Sequence, residues 1–191
     1  MKSLGLLITR VVTGGLLAGH GAQKLFGWYG GPGVEGTTGM MEQMGMRPGR
    51  FWAHMAGGAE FFGGVFTALG FMHPLGPILT LGPMAVAIRK VHWGKPIWVT
   101  SGGAELPVVN VAAATTLLVA GPGVFSLDTI LRTRLSWKMF FMTVAGLAIG
   151  LFWTINGADV QKALTAAQDT AETVADQASR APRRVREAVS A

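Results

Sequence analysis

The sequence predicts an all-α, polytopic membrane protein. It divides into a four-helix transmembrane bundle over residues 1–135, an additional transmembrane helix over 136–156 and an Ala-rich, charged C-terminal tail over 157–191. Three observations lead there. Charged residues make up only 14% of the chain, against roughly 25% in an ordinary soluble domain, so there is too little polar material to coat a water-facing surface. Hydrophobic residues make up 50%, and glycine is unusually abundant at 28 positions, a combination that suits helices packed closely in lipid. The apolar residues also fall into long runs that carry few or no charges, separated by Gly/Pro turn signals.

The first predicted span covers residues 4–26 and contains Arg10 and Lys24. Lys2, the apolar run and the small residues after it resemble a secretory signal, but Arg10 interrupts the run too early, so the helix is expected to stay uncleaved. The charge-free run 61–88 is longer than the ~20 residues a single span needs. His73-Pro74 divides it into spans over 51–72 and 75–88, the second short and bent by Pro77 and Pro83. A fourth span, 104–120, ends at Gly121-Pro122-Gly123, and the fifth, 137–155, is the cleanest apolar stretch. Trp28, Trp137 and Trp153 sit near span ends, where aromatic side chains favour the membrane interface. Small residues four apart, at Gly15/Gly19, Ala59/Gly63 and Gly146/Gly150, mark candidate helix-packing faces, with chance in a Gly-rich chain as the alternative. In the tail, Asp159 is a candidate helix cap. Val160, Leu164, Ala167, Ala171, Val174 and Ala178 form a weak stripe that leads to Arg183, Arg184 and Arg186. That segment reads either as an amphipathic surface helix on anionic lipid or as a solvated, partly disordered tail.

The chain has no cysteine, which excludes disulfides, thiolate nucleophiles and Cys-ligated metal clusters. The net charge of +6 does not point to nucleic acid, because the basic residues stand at segment ends and in the tail. With alternating spans, the polar residues converge. The side holding the N-terminus is termed side A and the opposite side B. The B ends of four predicted helices carry His20, Gln23 and Lys24; His54 and Glu60; Arg89, Lys90 and His92; and Glu105 and Asn110. His20 and Glu60 each lie on the order of 10 Å below the B surface. Glu60 sits deep in an apolar stretch and needs a partner on another helix. The expected arrangement is one cavity shared by Glu60, Glu105, His20, Lys24 and at least one of Arg89 and Lys90. It serves either as a ligand or redox pocket or as a purely structural ion-pair network.

Other polar residues have weaker readings. His54 and His92 are expected at the interface rather than on a metal. A His20/Glu60/Glu105 metal site lacks a local motif. Met40, Met41, Met44 and Met46 are read as gap-filling or lipid-contacting rather than copper-binding. Arg10, toward side A, is expected to snorkel or to pair with Asp128.

Arg10, His20-Gly21-Ala22-Gln23-Lys24, Glu60, Gly103-Ala104-Glu105, Gly121-Pro122-Gly123 and Ser126-Leu127-Asp128 together resemble the DoxX family over about residues 4–135. The resemblance implies a four-helix membrane bundle, prokaryotic origin and a role linked to quinone-connected oxidoreductase complexes. The fifth span and the charged tail depart from that pattern. The resulting expectation is a membrane subunit of an oxidoreductase complex. Glu60 and His20 would exchange protons, and Lys24, Arg89, Lys90, Glu105, Gln23 and Asn110 would bind a quinone head group or small anionic redox substrate. No cofactor motif is evident, so electrons would come from a partner or from the quinone. The alternatives are a small proton-coupled or solute carrier and a membrane scaffold for soluble redox enzymes. Expected partners are the lipid bilayer, redox-enzyme subunits and a second copy of the chain. Most Lys and Arg residues fall on side B, so positive-inside bias puts that side and the C-terminus in the cytoplasm of a prokaryotic plasma membrane.

Overall fold

The computed structural model describes residues 2–133 and 135–180, and no strand occurs among them. Helix α1 (Lys2–Phe26) lies antiparallel to α3 (Gly49–Leu69) along most of its length. Small residues set that contact. A Cβ at Gly14 would come within 2.5 Å of Ala68 N and 2.6 Å of Gly64 O, and one at Gly64 within 2.6 Å of Gly14 O. One at Gly21 would come within 2.6 Å of Phe61 Cα and 2.7 Å of Gly57 O. Backbone therefore meets backbone, as small residues permit in lipid. The predicted Gly15/Gly19 pair is not this face, because both positions look into open space.

Helix α3 is central and also packs against α2 (Gly33–Gln43) and α4 (Leu75–Val86). It ends at Gly70, whose φ of 62° supplies the left-handed cap that a side chain resists. Gly63, one of the predicted small residues, faces Leu79, Thr80 and Gly76 of α4. The His73-Pro74 break falls where expected. Pro83 is held inside α4, and a π turn over Ala87–Val91 continues the helix to the B end. The first loop holds α2, a helix that the hydropathy pattern does not predict. Met41 and Met46 are buried with Ala53 beside Met44, Trp52, Ala56 and Val86, the gap-filling use of methionine.

Helix α5 (Glu105–Ala120) packs against α4 and α1. The Gly121-Pro122-Gly123 turn leads into a short helix, α6 (Leu127–Leu131), capped by the Ser126 hydroxyl, which accepts from Thr129 N. The Asp128 carboxylate accepts from Met72 N and His73 N, each at 2.8 Å, and from the Thr133 hydroxyl, pinning α6 to the α3–α4 turn. Asp128→Ala is expected to cost about 1–3 kcal/mol, because two backbone donors lose their acceptors. Equilibrium unfolding in detergent micelles measures this.

Helix α7 spans Trp137–Arg180, so the helix continues past the predicted end of the fifth span at 156. In the first of two compact units, Met1–Ile155, α7 approaches α4 through Leu147, whose Cδ1 would lie 2.6 Å from a Cβ at Gly82. Gly146 and Gly150 face open space and do not form the expected packing face. In the second unit, residues 156–180 are helical, and 170–175 are exposed. Asp159 lies inside α7 and not at its start. The side chains of Trp137, Trp153, Val160, Leu164 and Ala178, and all of Arg183, Arg184 and Arg186, lie outside the described residues.

Among the described residues, two helices are long and apolar enough to cross a membrane, Lys2–Phe26 and Lys138–Gly157. The outer face of α1 leaves Leu4, Ile8, Val11, Val12 and Leu16 more than half exposed, and Phe51, Met55, Phe62, Val109 and Val119 are also exposed. A surface this apolar suits lipid rather than water.

Candidate functional site

One stripe of α1 organises both ends of the helix pair. Arg10, Gly14, Leu17, Gly21 and Lys24 follow alternating spacings of four and three, which keeps them on one helix face. The first four are buried. The stripe therefore carries a cation at each end of its contact with α3. Fourteen residues separate the two, about 21 Å along the helix axis.

At the B end, Lys24 Nζ donates to Glu60 Oε2. The two side chains differ in exposure: Glu60 retains 4% and Lys24 26%. A carboxylate so deep in an apolar stretch needs a compensating cation, and the lysine supplies it from the neighbouring helix. At the same end of the two helices, Phe26 and Phe61 meet edge to face, with centroids 5.5 Å apart. Thr37, fully buried on α2, donates to Gly33 O at 2.7 Å and reaches Lys24 O at 3.3 Å, tying α2 to the end of α1. Nothing in the sequence marked Thr37, which stood in a segment read as loop.

The other predicted site residues lie apart from this pair. His20 is exposed, and its Nδ1 lies 3.0 Å from Gln23 Oε1. It falls off the α1 stripe and so does not face Glu60 from within the helix contact. Arg89 is exposed, with its guanidinium 5.3 Å over the Trp93 ring. Lys90 and Asn110 are partly buried on the π turn and on α5. Glu105 accepts from Val99 N at 2.9 Å, and His92 Nδ1 donates to Gly102 O at 2.7 Å, so both brace the loop before α5. His54 Nδ1 donates to Arg50 O at 2.7 Å. The expected single network thus contracts to the Lys24–Glu60 pair. The reason is position: groups at helix ends reach loop backbone or solvent, whereas Glu60 reaches neither. Among the described residues, no three His, Asp or Glu side chains come together as a metal would require.

At the A end, Arg10 is 2% exposed. It does not snorkel, and it forms no direct ion pair with Asp128. Its Nη2 donates to Phe125 O at 2.6 Å, while Asp128 is committed to Met72, His73 and Thr133. His73, in the turn beside them, has its imidazole pKa lowered by burial. Asp128 and the Leu118 carbonyl oppose that shift, and Arg10 adds to it.

Residues 5–93 match the DoxX family, a stretch that runs from α1 through the π turn after α4 and includes Arg10, Lys24 and Glu60. Comparison with curated proteins and with solved structures found no match. The family match and the apolar helices both support a membrane protein.

Proposed function

Because the chain carries a DoxX domain over residues 5–93, we propose that it is a multi-pass subunit of an oxidoreductase complex in a prokaryotic plasma membrane. The Lys24–Glu60 pair would be its point of contact with a quinone head group or a small anionic redox substrate. The observation that carries this reading is the asymmetry of the pair, a carboxylate almost wholly out of solvent held by a lysine that is a quarter exposed. An ammonium has three donors, and Glu60 takes one. The remaining N–H bonds suit the carbonyl oxygens of a quinone or the oxygens of a small anion. The Phe26, Trp28 and Phe61 rings, which cluster at the same end of the α1–α3 contact, suit a planar apolar body.

Lys24 would hold the acceptor oxygen, and Glu60 would take up or release the proton that balances charge at that oxygen. A quinone, when bound, supplies the electron-accepting chemistry; the electrons come from a partner subunit. His20, exposed one turn before Lys24, and the partly buried Gln23, joined to it at 3.0 Å, would line the approach. Ion-pair residues inside a membrane protein are costly and commonly mark such a site.

Purification in native lipid followed by extraction and mass spectrometry tests the reading. Quinone retained by the wild type and lost from Lys24→Met is the expected result. Quinone equally present in both would remove the pair from the site. Proton or solute flux in vesicles holding this chain alone, without bound quinone, would favour a carrier.

A further inference from the structure

The loop that joins the π turn to α5, residues 92–104, exposes Trp93, Ile97, Trp98 and Val99 together, the two tryptophans at 70% and 62%. Exposed apolar groups in one patch mark a surface that meets something other than water. The loop is closed by its own hydrogen bonds. Glu105 N donates to Ile97 O and Gly103 N to Trp98 O, each at 2.9 Å, and Lys95 N donates to His92 O at 3.2 Å. His92 Nδ1 and the Glu105 carboxylate add the bonds to Gly102 O and Val99 N. A Cβ at Gly103 would collide with the carbonyl oxygens of Pro96 and Ile97, so the base of the loop is tightly folded. The backbone thus holds the four side chains outward.

Charge narrows what they meet. Residues 87–105 carry Arg89, Lys90 and Lys95 against one acid, Glu105, and that acid serves Val99 N. Arg89 is exposed, with its guanidinium over the Trp93 ring. Lys95, also exposed, lies along Gly102, where a Cβ would stand 3.7 Å from its Nζ. Among the described residues, neither Arg89 nor Lys95 forms an ion pair. A guanidinium stacked on a ring keeps its in-plane N–H donors free, and their fork matches the oxygens of a phosphate. Trp28 and Tyr29 are exposed where α1 ends, also toward side B. A bilayer surface accepts all of these groups: indole rings sit at the headgroup level, apolar side chains at the acyl boundary and cations on the phosphates. We propose that this loop is an anionic-phospholipid site. It dips into the headgroup layer on Trp93, Ile97, Trp98 and Val99, while Arg89 and Lys95 hold the phosphate of an anionic phospholipid.

The chain has no cysteine, so Ile97→Cys places a single nitroxide label on the full-length protein. In nanodiscs of phosphatidylcholine and phosphatidylglycerol, power-saturation EPR should find that label open to oxygen and shielded from a water-soluble nickel chelate. Phosphatidylglycerol retained through purification, measured against phosphatidylcholine by mass spectrometry, should fall about fivefold in each of Arg89→Gln and Lys95→Gln. Lys2→Gln, which removes a cation at the opposite end of α1, should leave the ratio unchanged. A label fully open to the chelate would overturn the proposal and leave the patch to a protein partner. Unchanged retention in both loop variants, or an equal fall in Lys2→Gln, would overturn it as well.

Discussion

Replacing Lys24 by methionine is expected to destabilise the protein by ~3–5 kcal/mol, whereas Glu60→Gln should cost clearly less. The asymmetry follows from exposure. Removing the lysine strands a carboxylate whose side chain is 4% exposed, while removing the carboxylate leaves a lysine that already reaches solvent with 26% of its surface. An unpaired charge in a low-dielectric interior carries the full desolvation penalty; a lysine at the rim can extend its stem and hydrate. Glutamine also retains an oxygen to accept from Lys24, which limits the loss to about 1–3 kcal/mol. The double variant Lys24→Met/Glu60→Gln should recover part of the single-lysine loss, because no unpaired charge remains. Equilibrium unfolding of all four proteins closes the cycle and isolates the coupling. Equal losses for the two single variants would contradict the exposure argument.

Gly21→Val is expected to disrupt the α1–α3 contact outright. The added Cβ would collide with Phe61 Cα and Gly57 O, and these are backbone atoms that cannot rotate away. Overpacking usually costs about 1–3 kcal/mol, and a clash between two helix backbones belongs at or beyond the upper end. Gly64→Val should behave alike, since its Cβ meets Ala18 and Gly14 backbone. Gly15→Val and Gly19→Val face open space and should melt within about 0.5 kcal/mol of the wild type. The rank order is the measurement: if Gly19→Val proved as damaging as Gly21→Val, the helix rotation described here would be wrong.

Those two results bear on what the sequence made legible. Glu60 lay in a stretch with no compensating charge, so its need for a partner on another helix was readable; His20 stood at the matching depth and Lys24 one turn above it. The rotation of α1 was harder. Gly15/Gly19 and Gly14/Gly21 both offer small residues, and spacing alone does not separate them. The charges do: Arg10 and Lys24 are fourteen residues apart, almost four whole turns, and the residues in phase with them are Gly14, Leu17 and Gly21. His20 was drawn to Glu60 by depth, but it is one position out of that phase and faces outward.

Loops were less legible because their polar residues are satisfied by backbone that hydropathy does not describe. Glu105 and His92 brace the segment before α5, and Asp128 binds the turn at Met72–His73 rather than Arg10. Helix α2 escaped because its apolar residues are few and its burial depends on Thr37 and Met41 against neighbouring helices.

The central claim is that the Lys24–Glu60 pair engages a ligand and does not serve only to join two helices. Glu60→Gln separates the two roles when unfolding stability and quinone-dependent turnover are measured on the same native-lipid preparation. The expected result is a folded protein that has lost its proton-exchanging carboxylate, with quinone-dependent turnover of the assembled complex reduced by at least tenfold while stability falls by no more than the about 1–3 kcal/mol of a weakened hydrogen bond. Turnover at the wild-type level in Glu60→Gln, with a stability loss that removal of Lys24 restores, would contradict it and leave the pair as a structural clasp.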